Sequence, residues 1–176
     1  MFETVSLLAL AGVAGVLTAA FFQPDICRVQ RSACIKAPPE GIYPLINNLH
    51  AFNRWNPFAK KDPKMTGSYD GPAEGPGAIY NFRGSRSGEG SVEIVGNRPA
   101  TEVTMHLNML KPMRAQNRVT FSLKPAEGAT EVTWVMEGKS PFLAKIFHLV
   151  FSVERMVGND FEAGLANLKS IAEHAS

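Results

Sequence analysis

The residue types that most often bind metals are few and scattered in this chain. It has four histidines and two cysteines. They lie at positions His50, His106, His148, His174, Cys27 and Cys34. No two of them have the short spacing with which a loop or a helical turn presents a pair of zinc ligands. The sequence therefore predicts no metal site.

Motifs for nucleophilic catalysis and for nucleotide binding are also missing. No serine stands in a G-x-S-x-G turn. The glycines from Gly84 to Gly90 do not follow the G-x-G-x-x-G order, and their place between two strand-like segments is typical of a hairpin loop. Asp160 and Glu162 are two apart on a predicted helix, so they point apart and cannot form a close acid–base pair. We interpret them as solvated charges, with a place for Asp160 at a cavity edge as the alternative.

Individual histidines and cysteines have ordinary interpretations. His106 falls on the polar face of a predicted strand, where we expect it to face solvent; a role as an acid or base in a cavity is the alternative. His148 lies among apolar residues, as a packed helical histidine does. Cys27 and Cys34 are separated by about 23 Å if the segment is extended, so they cannot form a disulfide with each other. No catalytic residue is assigned.

Aromatic and sulfur-containing side chains give the clearest indication of a binding site. Those on the apolar faces of the predicted strands, with one residue of the last helix, are expected to line a cavity, although core packing explains most of them equally well. Asn117 shares the parity of the inward residues, so its amide, with the Tyr80 hydroxyl and the Trp134 indole, is expected to orient an oxygen of a ligand. The predicted cavity residues are Tyr80, Phe82, Met105, Leu107, Asn117, Phe121, Trp134, Met136 and Phe161.

Hydrophobic periodicity places these residues on an α+β framework. A strand over 28–35 leads into a helix containing Ile42, Leu45, Ile46 and Leu49, and Pro57 is expected to end this helical region. After a stretch of loops and short strands, further strands are predicted over 78–83, 91–95, 102–109, 117–124 and 131–137. Helices are predicted over 141–151 and 153–172. The long last helix is amphipathic, so it is expected to cover the apolar face of the sheet.

The N-terminal residues 5–22 form an apolar run whose only polar members are Ser6 and Thr18. As a helix this run would be about 27 Å long, close to the thickness of the hydrocarbon core. We therefore expect residues 1–23 to form a single-pass membrane anchor and residues 24–176 to form one domain. A cleaved signal peptide and a buried core helix are the alternatives. Arg28, Arg31 and Lys36 follow the run, which favours a cytoplasmic location for the domain.

Composition restricts the class of partner. The chain of 176 residues has 18 Lys and Arg against 16 Asp and Glu, which gives a net charge of +2. A nucleic-acid-binding domain of this size would be expected to carry a strongly basic surface. The sequence therefore predicts a globular chain that does not bind nucleic acid, and it does not indicate an oligomeric state.

Several motifs along residues 24–176 resemble the SRPBCC, or START-like, superfamily, and more narrowly its polyketide cyclase/dehydrase-type branch with an N-terminal membrane anchor. The most specific of them is the run Met156–Leu165. Phe52 and Phe58 stand where many relatives have tryptophan, and Asn56 stands where serine is common. The other motifs are Ala37–Glu40, Trp55–Phe58, Asp62-Pro63, Tyr69–Pro72, Gly75–Tyr80 and Glu131–Trp134.

This resemblance implies a helix-grip fold, in which a curved antiparallel sheet of about six to seven strands wraps around a long C-terminal helix and encloses a cavity for hydrophobic ligands. The expected function is a membrane-tethered binding or carrier domain for a hydrophobic small molecule such as a lipid, an isoprenoid or a polyketide-like compound. One alternative is a cyclase or dehydrase using Tyr80, Asn117 or Asp160 for proton transfer. Another is a protein-interaction module that docks through loops 52–76. No cofactor is implied.

Overall fold

Alternating apolar and polar residues build seven strands that pair into one curved antiparallel sheet. The computed structural model describes residues 25–140 and 153–174, together with Gly15, Thr18 and Phe21. The strands are β1 (Ile26–Ile35), β2 (Thr66–Asp70), β3 (Ile79–Arg83), β4 (Glu89–Arg98), β5 (Glu102–Lys111), β6 (Ala115–Ala126) and β7 (Ala129–Lys139). They lie in the order β1-β7-β6-β5-β4-β3-β2. The first strand, β1, therefore pairs with the last, β7, and the strands from β2 to β7 each lie beside the next strand in sequence.

Within the described residues, four helices accompany the sheet: α1 (Pro39–Asn47), α2 (Leu49–Trp55), α3 (Pro57–Lys61) and α4 (Val153–His174). The long helix α4 buries Phe161, Leu165 and Leu168 against the inner face of the sheet. This arrangement confirms the expected α+β helix-grip architecture. The hydrophobic core therefore lies between the curved sheet on one side and the helices on the other.

The helical region before β2 differs from the sequence prediction. The predicted single helix is interrupted at Asn48, whose extended backbone separates α1 from α2 and whose side-chain oxygen accepts hydrogen bonds from the amides of His50 and Ala51. The prediction that Pro57 ends the helical region is wrong. Pro57 begins α3, because proline needs no amide hydrogen in a first turn and Asn56 caps the new helix by accepting from the amide of Phe58.

Two predicted segments lie largely or wholly outside the described residues. They are the apolar run at residues 5–22, of which only Gly15, Thr18 and Phe21 are described, and the helix predicted over 141–151. Within the described part of the chain, no helix has the length and apolar character needed to cross a membrane. Cys27 and Cys34 are both free thiols on β1, as their spacing required.

Candidate functional site: an apolar cavity between the sheet and the last helix

A cavity of about 240 Å³ lies between the inner face of the sheet and helix α4. Its wall is predominantly hydrophobic, and four of its residues are methionines. The lining residues are Phe52, Asn56, Phe58, Met65, Tyr80, Phe82, Ser87, Val92, Met105, Leu107, Met109, Asn117, Val119, Trp134, Met136, Val157 and Phe161. Such a wall, apolar with a few polar groups, is typical of sites that bind small molecules.

The burial of the lining residues shows which end of the cavity approaches solvent. On β5, Met105 is 1% exposed, whereas Met109 is half-buried. On β7, Trp134 is 3% exposed and Met136 is half-buried. On α4, Phe161 is buried and Val157 is half-buried. We call the end at which β5 and β7 finish and β6 and α4 begin the mouth end. The cavity opens toward this end and is closed at its floor.

Trp134 forms much of the floor and is held from several sides. Its ring stacks on that of Phe161, with the centroids 3.9 Å apart and the planes 8° from parallel. The rings of Phe121 and Trp55 pack against it with centroids at 4.9 Å and 5.7 Å. At Gly164, a Cβ atom would lie 2.7 Å from Cζ3 of Trp134, so the helix backbone approaches the indole closely because this residue has no side chain.

The two tryptophans differ in how their indole nitrogens are satisfied. Nε1 of Trp55 donates a hydrogen bond of 2.8 Å to the carbonyl of Leu45. Nε1 of Trp134 is buried and has no acceptor among the described residues. An unpaired buried donor is destabilising, so this N–H, which belongs to a residue that lines the cavity, is open to an acceptor that the described residues do not supply.

Asn117 contributes a polar group nearer the mouth end. It pairs with Gly138 of β7 across the sheet, and its Oδ1 atom would be 1.9 Å from a Cβ atom at that position. Gly138 therefore lets the Asn117 side chain lie flat over the neighbouring strand. The amide lines the cavity and makes no side-chain hydrogen bond with any residue that the structure describes, so it is available to a bound molecule.

Tyr80 lines the cavity from β3 and reaches the edge of the sheet. Its hydroxyl end covers Gly67, where a Cβ atom would lie 2.6 Å from the oxygen, and its ring lies beside that of Tyr69 with centroids 4.8 Å apart. Burial, and secondarily the nearby Tyr69, raises the pKa of Tyr80 above its ordinary value. The Tyr80 phenol is therefore protonated at neutral pH and can act as a hydrogen-bond donor rather than as a base.

A buried carboxylate fixes the loop that borders the mouth end. Asp62 follows α3 and is 2% exposed. Its Oδ2 atom accepts hydrogen bonds from the amides of Arg86 at 2.7 Å and Ser87 at 3.1 Å. These amides hold the pKa of Asp62 below its ordinary value. Ser87 lines the cavity and also donates to the carbonyl of Phe58 at 3.2 Å, so the β3–β4 loop is fastened to α3 beside the opening.

The structure brings eight of the nine predicted cavity residues into the wall. Phe121 is the exception: it is fully buried and packs in the core against Phe52 and Trp55, deeper than the floor. Strand parity predicted its face correctly but not its depth. Sequence reasoning noted Phe52, Asn56 and Phe58 only through the family resemblance, and it did not assign Met65, Ser87 or Val92 to the cavity. The eight are Tyr80, Phe82, Met105, Leu107, Asn117, Trp134, Met136 and Phe161.

Charged residues lie outside the cavity wall. The interpretation of Asp160 as a solvated charge is wrong. Asp160 is 7% exposed and forms an ion pair with Lys61 that joins α4 to α3. Glu162 is exposed and pairs with Arg31 of β1 at 2.7 Å. His106 faces solvent, as predicted. Within the described residues, no group of three or more histidine, cysteine or acidic side chains is placed to hold a metal ion.

Comparison with solved structures finds the same fold in proteins of low sequence identity. Protein MLL2253 from Mesorhizobium loti aligns with a TM-score of 0.63 and 15% identity, over 85% of this chain and 99% of that one. The Aha1 dimer from Colwellia psychrerythraea gives a TM-score of 0.58 and 20% identity, over 84% and 96%. DynU16, from the dynemicin biosynthetic locus, gives a TM-score of 0.60 and 14% identity, over 88% of this chain and 49% of that one. At such identities the likeness shows the fold alone.

The sequence itself matches a known family over most of its length. Comparison with curated proteins finds no significant match. Residues 27–173 match the family described as polyketide cyclase/dehydrase and lipid transport, and this range includes every residue that lines the cavity. The chain therefore belongs to the polyketide cyclase/dehydrase and lipid transport family of the SRPBCC superfamily, and it has that family's hydrophobic ligand-binding fold.

Proposed function

We propose that this protein binds a hydrophobic small molecule that carries a hydrogen-bond acceptor, and that it does so while tethered to a membrane through residues 5–22. The observation that carries this proposal is the apolar cavity between the sheet and α4, which is lined by Trp134, a residue whose indole N–H has no acceptor among the described residues. A lipid, an isoprenoid or a polyketide-like compound has the required combination of an apolar body and an oxygen atom.

The size and composition of the cavity support a ligand of variable shape. A volume of about 240 Å³ lies just below the ~300–1,000 Å³ that is usual for small-molecule pockets. This space accommodates one or two fused rings, or the leading part of a longer molecule whose remainder extends through the mouth end. Methionine side chains are flexible and polarisable, so the four that line the wall allow it to adapt to different ligands. They are Met65, Met105, Met109 and Met136.

The polar groups of the wall suit recognition of an oxygen atom. Trp134 can only donate a hydrogen bond, and the Asn117 amide can donate through Nδ2. An acceptor such as a carbonyl or hydroxyl oxygen would satisfy the buried indole N–H, which gains no partner from the described protein residues. A ligand without an acceptor would leave this donor unpaired, so the site should favour oxygenated molecules over hydrocarbons of the same shape.

The same wall supports binding over the alternative of cyclase or dehydrase catalysis. Proton-transfer catalysis needs an acid or base whose pKa lies near the working pH. Among the lining residues that the structure describes, Tyr80 is the only one that titrates, and its pKa is raised. Asp160, the carboxylate considered as a catalytic group, is ion-paired with Lys61 and does not line the cavity.

The proposed membrane tether rests on the sequence of residues 5–22, an apolar run long enough to cross a hydrocarbon core. The cationic residues that follow it favour a cytoplasmic location for the binding domain. Hydrophobic ligands partition into bilayers, so a tether would raise the concentration of ligand that the cavity encounters. This supplies a physical reason for joining an anchor to an apolar site.

The proposal is tested by identifying what co-purifies with the full chain. We would extract the purified protein with organic solvent, analyse the extract by mass spectrometry, and compare wild type with Leu107→Trp and His106→Trp. Leu107 lines the cavity, whereas His106, the preceding residue of β5, faces solvent. We expect a retained apolar molecule in wild type and His106→Trp, and its loss in Leu107→Trp.

Two results would contradict the proposal. If both tryptophan variants retained the same molecule as wild type, the molecule would lie outside the cavity. If folded wild type retained no small molecule and bound none from a panel of oxygenated lipids, ligand binding would be overturned. A stable co-purifying protein in that second case would support the alternative of an interaction module.

A further inference from the structure

Exposed hydrophobic side chains are concentrated around the mouth end. Leu110 and Met113, in the β5–β6 hairpin, are 53% and 52% exposed. Met156, in the first turns of α4, is 56% exposed, and Ile26, the first residue of β1, is 63% exposed. Four of the seven large hydrophobic residues exposed in the described part of the chain therefore belong to this end. We call these four residues the apolar rim.

The pairing of the strands places the apolar rim along one edge of the sheet. Ile26 pairs with Lys139 at the end of β7, while Gly138 beside it pairs with Asn117 near the start of β6. Leu110 follows Met109 at the end of β5, and Met109 pairs with Ala115 of β6. Neighbouring strands are about 4.8 Å apart, and β6 and β5 are the second and third strands from β1, so the β5–β6 hairpin lies about 10–14 Å from β1 along this edge.

Unpaired cations lie among the apolar rim residues. Arg114, Lys139 and Arg155 are exposed and form no ion pair with any described residue. Of the acidic residues near this end, Glu154 pairs with Arg31 at 2.9 Å, Glu89 with Lys111 at 3.0 Å and Glu137 with Arg28 at 3.2 Å, and Asp25 directly precedes Ile26. The mouth end therefore combines exposed apolar groups with an excess of free positive charge.

The chain also arrives from its proposed anchor at this end. Ile26 begins β1 and lies four residues after Phe22, the last residue of the apolar run. Four residues span at most about 14 Å when fully extended. If residues 5–22 cross a bilayer, the connection therefore holds the apolar rim close to the membrane surface.

From these observations we infer that the mouth end is a docking surface for a lipid bilayer with anionic headgroups. Leu110, Met113, Met156 and Ile26 enter the interface, and the free arginine and lysine side chains contact the headgroups. In this orientation the cavity opens onto the bilayer, so an apolar ligand passes between the two without crossing water. The inference rests on the proposed ligand-binding function and names where the ligand enters.

Fluorescence quenching by lipids that carry bromine on their acyl chains tests this docking. Tryptophan is introduced into the full chain as Leu110→Trp or Met113→Trp, and as Val95→Trp for a control. Val95 is 37% exposed and lies toward the opposite end of β4. Wild type supplies the background from its two native tryptophans. Each protein is measured in vesicles of phosphatidylcholine with and without phosphatidylglycerol.

We expect the emission added by Leu110→Trp and Met113→Trp to shift to shorter wavelength and to be largely quenched in phosphatidylglycerol vesicles, while that of Val95→Trp stays unchanged. Adding Arg114→Gln and Lys139→Gln to Leu110→Trp should weaken docking by about fivefold for each cation removed. Equal quenching of Leu110→Trp and Val95→Trp would overturn the inference. So would a short-wavelength emission that is the same without vesicles, because the rim would then be covered by protein.

Docking of the mouth end can be tested separately from the membrane anchor and from ligand binding. Extraction of the vesicles at alkaline pH reports on the anchor alone, since an integral span resists it. Quenching of Leu110→Trp in a protein that is extracted would retain the docking surface and reject the anchor. An unquenched Leu110→Trp variant that still carries the apolar ligand of wild type would reject docking and retain ligand binding.

Discussion

The indole of Trp134 on β7 lies face to face with the phenyl ring of Phe161 on α4, at a centroid distance of 3.9 Å. This stack joins β7, the neighbour of the edge strand β1, to the long helix and forms the closed part of the cavity. One residue pair therefore contributes both to the core and to the proposed binding site. The close approach of the helix at Gly164 fixes how far apart sheet and helix stand.

Substitution of Gly164 tests this close approach. A Cβ atom there would lie 2.7 Å from Trp134 and 3.0 Å from Pro57. We expect Gly164→Ala to lower the free energy of unfolding by about 1–3 kcal/mol, as overpacking does. Gly41 in α1 is a matched control, because its nearest contact to an added Cβ is 3.9 Å. Gly41→Ala should raise stability by about 0.5–1 kcal/mol through helix propensity.

Urea unfolding of the two alanine variants measures both effects. A Gly164→Ala variant as stable as Gly41→Ala would show that the helix moves away from Trp134 without loss, which would contradict the tight packing of the cavity floor.

The two tryptophans should respond differently to replacement by phenylalanine. Trp55→Phe removes a satisfied hydrogen bond and leaves the Leu45 carbonyl without its partner, whereas Trp134→Phe removes a donor that has no acceptor among the described residues. We expect Trp55→Phe to be the more destabilising by about 1 kcal/mol. Affinity for an oxygenated ligand, in contrast, should fall more in Trp134→Phe than in Trp55→Phe.

A pair of probes of similar shape measures that affinity. 2-Acetylnaphthalene carries a carbonyl acceptor and 2-ethylnaphthalene does not. Wild type should bind the ketone about fivefold more tightly, as one added hydrogen bond allows, and Trp134→Phe should remove the preference. If Trp134→Phe kept the full preference while Asn117→Ala removed it, Asn117 and not Trp134 would bind the oxygen.

The fastening of the β3–β4 loop by Asp62 should appear as a pH-dependent stability. Hydrogen bonds from the amides of Arg86 and Ser87 lower the pKa of Asp62 in the folded state. The stabilisation is therefore fully present above the unfolded-state pKa of about 3.9 and is lost as the pH falls through the folded-state pKa. Asp62→Asn should be less stable than wild type at neutral pH, and the difference should shrink in acid.

Unfolding free energies of wild type and Asp62→Asn, measured across the acid range, give this difference directly. Glu127→Gln is a suitable control, because Glu127 is exposed in the β6–β7 turn and forms no ion pair with the described residues. A difference between wild type and Asp62→Asn that stays constant with pH would show that the carboxylate charge does not fasten the loop.

Much of the fold and of the cavity could be predicted from the sequence, because both depend on periodicity. Strict alternation on β5 and β7 identified the inward faces that carry Leu107 and Met136, and the apolar positions of α4 identified the helix that covers them. Periodicity gives the face of a residue but not its height in the core. Phe121 shares the inward face of β6 with Val119, yet it lies two residues deeper and meets Trp55 instead of the cavity.

Contacts between distant segments could not be predicted from local patterns. Asp160 pairs with Lys61, which is 99 residues away in sequence. Because of this partner, the Asp160 carboxylate is buried, whereas its helix position alone had indicated a solvated charge. The loop of Ser87 depends in the same way on Asp62, 25 residues earlier. In a single sequence, the proximity of such residues becomes visible only once the sheet order is known.

The central claim, an open cavity that binds apolar ligands, is tested most directly by NMR of the full chain labelled at its methionine methyl groups. Met65, Met105, Met109 and Met136 line the cavity, whereas Met113 and Met156 are exposed outside it. Titration with 2-acetylnaphthalene is predicted to shift the four lining methyl signals to saturation and to leave those of Met113 and Met156 in place. Lining signals that do not move, or that move no more than those of Met113 and Met156, would contradict the claim.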